Sequence, residues 1–152
     1  VPHEVQRMSA GRGVMHSELN PSDSEPVHLL QIWIQPNIAG VPPSYEQRYF
    51  GPDEKRGVLR LVASGNGRDG SVQIHQDADL YASLLDAGQR VGLDLEPERL
   101  AYLHVARGNA NLNGRALGAG DGAKVCDERA LIVEASGPAE LLLFDLPPRK
   151  GA

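Results

Sequence analysis

His16 and Glu18 are the two residues of this chain whose types and spacing are best suited to hold a metal. Set two apart, they leave the same face of an extended strand and can converge on one ion. An imidazole nitrogen with a carboxylate oxygen suits a first-row divalent metal that keeps positions open for a substrate. Gly11 and Gly13 come just before them, and without a Cβ each can take the positive φ of a tight turn that swings the chain back toward the ligands. The elements that must position this pair are a strand leading into Met8, the Gly11–Gly13 turn, and an extended ligand strand ending at Asn20. The polar run Pro21-Ser-Asp-Ser-Glu-Pro26 closes it as a loop.

Downstream, Val27 to Gln35 reads as the clearest strand, with Leu30, Ile32 and Ile34 on one face and Gln31, Trp33 and Gln35 on the other. Aromatic residues make up only 5% of the chain, so Trp33 is expected to be the largest single piece of the core. Pro36-Asn37 and Val41-Pro42-Pro43 mark a stiff connector, since proline fixes φ and pushes the preceding residue out of helical space. The domain boundary is placed near Tyr45, with Tyr45, Tyr49 and Phe50 packing the connector against a barrel. Val58 to Ala63, a Gly-Asn-Gly turn at 65 to 67, and Val72 to Ile74 follow as the first strands of a second unit.

Four stretches carry a family resemblance. Gly13, His16 and Asn20 reproduce the tail of the second cupin motif, G-x-x-H-x-x-x-N, and the string from Met8 to Glu18 is similar to the pirin family. His28 to Phe50 resembles the segment that links the two barrels of pirin-like proteins. Ile74 to Gly88 and the closing run Ala139 to Leu146 resemble their second barrel. The resemblance implies an all-β, double-stranded β-helix (cupin, or jelly-roll) architecture: a partial first cupin with its linker over residues 1–44, a complete second cupin over 45–146, and a tail at 147–152. It also implies a divalent ion, Fe, Ni, Zn or Cu, held in the first barrel by three histidines and a glutamate. His16 and Glu18 supply two of these; the family's other two come from an upstream H-x-H, and this sequence contains none. Val1 stands where the strand leading into Met8 begins, which leaves either a piece of a longer chain or a shortened homologue without a complete site.

The second unit can be laid on the first cupin motif between Gly88 and Gly108. Asp94 and Glu96 then occupy the two histidine positions, Ala101 the glutamate position, and Ala123 the place of the fourth ligand. This barrel is expected to hold no transition metal. Asp94 and Glu96 read as a solvated rim, since hard cations want about six to eight oxygens. Asn113-Gly114 predicts a two-residue type I′ hairpin, and Gly118 to Gly122 a further barrel turn.

The remaining candidates receive plain structural readings. His75 and His104 are expected as packed strand histidines and His28 as a half-exposed residue at the core edge. His3, at a position where the family usually has glycine in a turn, is expected to point to solvent. Cys126 is expected as a small apolar residue on a strand; alone it forms no internal disulfide, which fits a reducing compartment. Arg12 between two glycines is only a faint anion-loop signal. There is no G-x-S-x-G, no G-x-x-x-x-G-K and no C-x-x-C. A net charge of −5 and the absence of any basic block argue against nucleic-acid binding. No apolar run approaches the roughly 18 residues of a membrane span, so a cytoplasmic protein is expected.

Two functional readings follow. In the first, the family site is a metal-dependent dioxygenase of the quercetin 2,3-dioxygenase type, acting on a flavonol-like small molecule, with His16 a pure ligand and Glu18 both ligand and catalytic base. In the second, the chain is a non-catalytic interaction or regulatory module that forms a homo-oligomer through its incomplete first barrel, because unpaired strand edges seek partners.

Overall fold

The computed structural model describes residues 2–149; of the tail expected at 147–152, residues 150–152 lie outside the described residues. Twelve strands are ordered along the chain as β1 (Glu4–Ser9), β2 (Ser44–Tyr49), β3 (Arg60–Ser64), β4 (Val72–Gln73), β5 (Asp79–Leu85), β6 (Arg90–Asp94), β7 (Leu100–Arg107), β8 (Asn109–Leu112), β9 (Arg115–Gly118), β10 (Gly122–Val125), β11 (Ala130–Ala135) and β12 (Ala139–Leu146). A single helical turn, α1 (Pro52–Lys55), follows β2, with Pro52 at its first position, where a missing N–H costs nothing.

The second unit is two sheets face to face. One has six strands in the order β10-β7-β12-β5-β3-β4 and the other has four, β6-β11-β8-β9. Period-two alternation decides which side chains meet between them: Leu103 and Val105 of β7, Leu141 and Leu143 of β12, and Leu131 and Val133 of β11 are buried in one aliphatic core. The opposite face of the six-stranded sheet carries a second core, in which Leu80, Ala82 and Phe144 pack with Phe50, Val62, Val72 and Ile74. β12 therefore has both faces covered, and its run of three leucines is what such a strand requires.

Strands β1 and β2 form a separate antiparallel pair, from Glu4 opposite Tyr49 to Ser9 opposite Ser44. Between them, residues 10–43 contain no strand or helix. The strand expected over Val27 to Gln35, and the ligand strand through His16 and Glu18, are therefore corrected. The side-chain alternation is present, but a strand is defined by its ladder, and no described strand pairs with this segment. Trp33 is 89% exposed for the same reason, and Phe50, fully buried, takes its place as the largest piece of the core. Tyr45 and Tyr49 are exposed, so of the three aromatics expected to pack the connector only Phe50 does so.

Other expectations hold. Asn113 and Gly114 both have positive φ, 46° and 88°, as a type I′ turn demands, and join β8 to β9. Cys126, by contrast, is exposed beyond the end of β10 instead of sitting on a strand.

Candidate functional site

Strand β1 delivers the chain to Ser9, and the turn built on Gly11 and Gly13 redirects it. Gly11 has φ 55°, and a Cβ there would lie 2.2 Å from the Val41 carbonyl oxygen, so only glycine lets this turn rest against the proline-rich connector. The Gly13 amide donates to the Ala10 carbonyl oxygen at 2.8 Å, closing the turn three residues before His16. His16 then lines a shallow groove of about 310 Å³ with Met8, Val14, Met15, Pro43, Ser44 and Tyr45. Its walls are mostly apolar, supplied by one end of the β1–β2 pair, where Met8 lies opposite Tyr45, and by the chain that connects the two strands.

Glu18 is exposed and lies outside that groove. Neither His16 nor Glu18 makes a hydrogen bond or ion pair with another described residue, and among the described residues no group of three or more His, Cys, Asp or Glu is placed to hold a metal. The two ligand types are right for a divalent ion, but two donors do not complete a site of roughly four. Asn20, the last residue of the motif, has a visible role. Its amide nitrogen donates to the Glu25 carbonyl oxygen at 2.7 Å, and its oxygen accepts the Ser22 amide, which pins the 20–25 loop beside the ligand segment.

The motif positions of the second barrel divide by burial. Ala101 is buried in the aliphatic core and Ala123 packs against it, while Asp94 and Glu96 are exposed at the rim. They line a cleft of about 470 Å³ with Arg68, Asp77, Asp79, Tyr81, Arg99 and Asp145. Its two arginines are already engaged. Arg68 grips both oxygens of Asp79, and Arg99 donates to Asp145 at 2.5 Å and to Asp77 at 3.1 Å. Burial pushes the Asp145 carboxyl up from its ordinary range, opposed by the Arg99 hydrogen bond, and burial also raises the Tyr81 phenol.

The remaining histidines divide. His104 is a half-buried strand histidine on β7, as expected. His75 follows β4 in a loop, half-buried, where its carbonyl oxygen accepts the Asn37 amide at 2.8 Å. His28 is exposed and receives the Arg107 guanidinium at 3.3 Å, so it is a surface contact and not a core-edge residue. His3 is corrected: it is half-buried, and its Nδ1 lies 2.9 Å from the Lys55 ammonium. Sequence reasoning passed over Lys55 altogether, because nothing in Pro-Asp-Glu-Lys distinguishes a buried lysine from a solvated one.

A family model described as "Pirin" matches residues 1–34, and one described as "Quercetinase C-terminal cupin domain" matches residues 61–146. The quercetin 2,3-dioxygenase of Escherichia coli K12 is 44% identical over 145 residues, 95% of this chain and 62% of that protein. The chain belongs to the pirin-like cupin family. A putative quercetin 2,3-dioxygenase of Pasteurella multocida is 39% identical over 94% of this pirin-like chain and 61% of its own length. Among solved structures, the bacterial pirin YhhW of Escherichia coli in complex with nickel(II) superposes with a TM-score of 0.89 at 43% identity, over 96% of this chain and 62% of that one. The pirin-like chain thus spans a little over three-fifths of the length of these relatives. No helix among its described residues is long and apolar enough to cross a membrane.

Proposed function

We propose that this pirin-like chain contributes half of a divalent-metal site of the kind used by quercetin 2,3-dioxygenases, with His16 as the imidazole ligand and Glu18 as a carboxylate ligand and proton acceptor. The observation that carries this reading is the place of His16 in the groove of Met8, Val14, Met15, Pro43 and Tyr45, behind the turn of Gly11 and Gly13. An apolar groove beside a metal-binding imidazole suits a flat phenolic ring system such as a flavonol. The relatives named quercetin 2,3-dioxygenase and the nickel-bound YhhW support a metal of the Ni, Fe, Zn or Cu class. When bound, such an ion supplies Lewis acidity toward a substrate oxygen. Glu18 would accept the hydroxyl proton of a substrate only once drawn to the ion from its place outside the groove, while Met8, Val14 and Tyr45 would offer the ring an apolar wall. His16 and Glu18 fit the ion in kind and fall short of it in number, so no turnover is assigned to this chain alone.

The test is nickel titration followed by isothermal calorimetry, with flavonol consumption measured under oxygen in parallel. Weak binding of about one ion per chain, abolished in His16→Ala, and little or no flavonol loss are the expected results. Binding unchanged in His16→Ala overturns the assignment.

The division into a partial first barrel at 1–44 and a second barrel at 45–146 belongs to the same reading, supported by the closed aliphatic core that strands β5 to β12 build by themselves. A cytoplasmic setting accords with the single exposed thiol of Cys126. A second reading, association of two copies through the first-barrel segment, is favoured by one observation. Met15 is 100% exposed, Leu19 86% and Trp33 89%, along a stretch of backbone with no ladder partner.

A further inference from the structure

Lys55 is the one ionisable side chain among the described residues that the fold buries, at 5% exposure, and its hydrogen-bond partner is a residue in an uncomfortable conformation. His3 has φ 70°, a left-handed backbone that a residue with a Cβ seldom adopts. It sits at the base of the β1–β2 pair, where its carbonyl oxygen accepts the Phe50 amide at 3.0 Å, directly before the register begins at Glu4 and Tyr49. That conformation turns the imidazole onto Lys55 of α1, with the Tyr49 ring edge-on to it at 6.4 Å between centroids. An ammonium has only protons to give, so this contact requires an unprotonated Nδ1 on His3.

We infer that His3 and Lys55 form a pH-sensitive latch that ties the base of the β1–β2 pair to α1 and opens when His3 takes up a proton. Protonation leaves two cations within hydrogen-bond distance, one of them buried, and removes the acceptor that Lys55 needs. The neighbouring charges do not relieve this. Glu140 of β12 favours the imidazolium, but it lies 3.8 Å from the Arg107 guanidinium of β7, which opposes it. Glu54 of α1 is engaged by Arg60 and by the Gly51 amide. His28 faces the same cluster from the 10–43 segment and is held by Arg107. Burial first, and then the Lys55 charge, lower the affinity of His3 for a proton, and burial does the same for Lys55.

The sign follows from this direction. An unfolded or undocked His3 protonates near pH 6.5, while the docked one resists. The docked state is therefore fully favoured above the ordinary histidine range and loses stability as pH falls through it. Because β1 runs straight into the Gly11–Gly13 turn, an open latch also frees the segment that carries His16.

The experiment is hydrogen–deuterium exchange by mass spectrometry from pH 7.5 to 5, corrected for intrinsic rates, comparing residues 4–9 and 44–49 with β7 and β12. The expected result for the unsubstituted chain is several-fold loss of protection in the β1–β2 pair on acidification, with β7 and β12 unchanged. His3→Gln offers Lys55 an oxygen acceptor that does not titrate, and should flatten that pH profile; Lys55→Met should do so too, by removing the second charge. His28→Gln should leave the profile as it was. The latch is overturned if the pair loses protection equally in His3→Gln and Lys55→Met, if the profile is already flat in the unsubstituted chain, or if His28→Gln alone abolishes it.

Discussion

Single positions in this protein are constrained for quite different reasons, and Gly108 shows the hardest kind. Its φ is 78°, and a Cβ would lie 2.0 Å from the Pro138 carbonyl oxygen, in backbone that cannot yield as a side chain would. Gly108→Ala combines left-handed strain with a main-chain collision, so we expect a loss of roughly 3 kcal/mol in unfolding free energy by urea denaturation. The spacing from Gly88 already marked this glycine in the sequence, since the motif that fixes it survives the loss of the metal ligands between its ends. His3 was not legible in that way. A histidine in a turn position carries no sign of the lysine it will meet 52 residues later, because the contact depends on how two separate units dock.

At the level of elements, the strands of the second barrel were readable and the first-barrel segment was not. β12 is central, with β5 on one side and β7 on the other, so each of its apolar residues faces one of two cores. Leu141→Ala should cost about 2–5 kcal/mol through lost burial and the cavity left behind. Ile132→Ala, on the solvent side of β11 with half its surface exposed, should stay within about 0.5 kcal/mol. Thermal unfolding of the two variants side by side checks the contrast. Val27 to Gln35 has the same alternation as β11, yet it pairs with nothing among the described residues. Periodicity reports which faces a strand would have, whereas the ladder that makes it a strand is a property of its neighbours.

For the molecule as a whole, the apolar side chains have two fates. In the second barrel they close on each other, while along residues 10–43 Met15, Leu19, Val27, Leu29 and Trp33 stand open to solvent. Together they expose several hundred Å² of apolar surface, on the order of the roughly 800 Å² per partner that a standard interface buries. We therefore expect light scattering after size-exclusion chromatography to report a dimer that Trp33→Ser combined with Leu19→Ser converts to monomer. A monomer at all concentrations would remove the second functional reading. His16 and Glu18 were legible as candidate ligands from their types and spacing; the groove that takes in His16 and leaves out Glu18 was not, because it depends on how the Gly11–Gly13 turn rests against the connector.

The interior of the distal barrel carries one last consequence. Ala101 and Ala123 stand at the last two positions of the motif laid on this barrel, and Ala101 is enclosed with Leu103, Val105 and Leu143 in one aliphatic core that Ala123 packs against. Anyone hoping to engineer a second reactive centre there could place imidazoles at the exposed Asp94 and Glu96, but not a carboxylate at Ala101 without further change. The aliphatic filling would have to be carved out first, and every methylene removed would be taken from the part of the protein that keeps it folded.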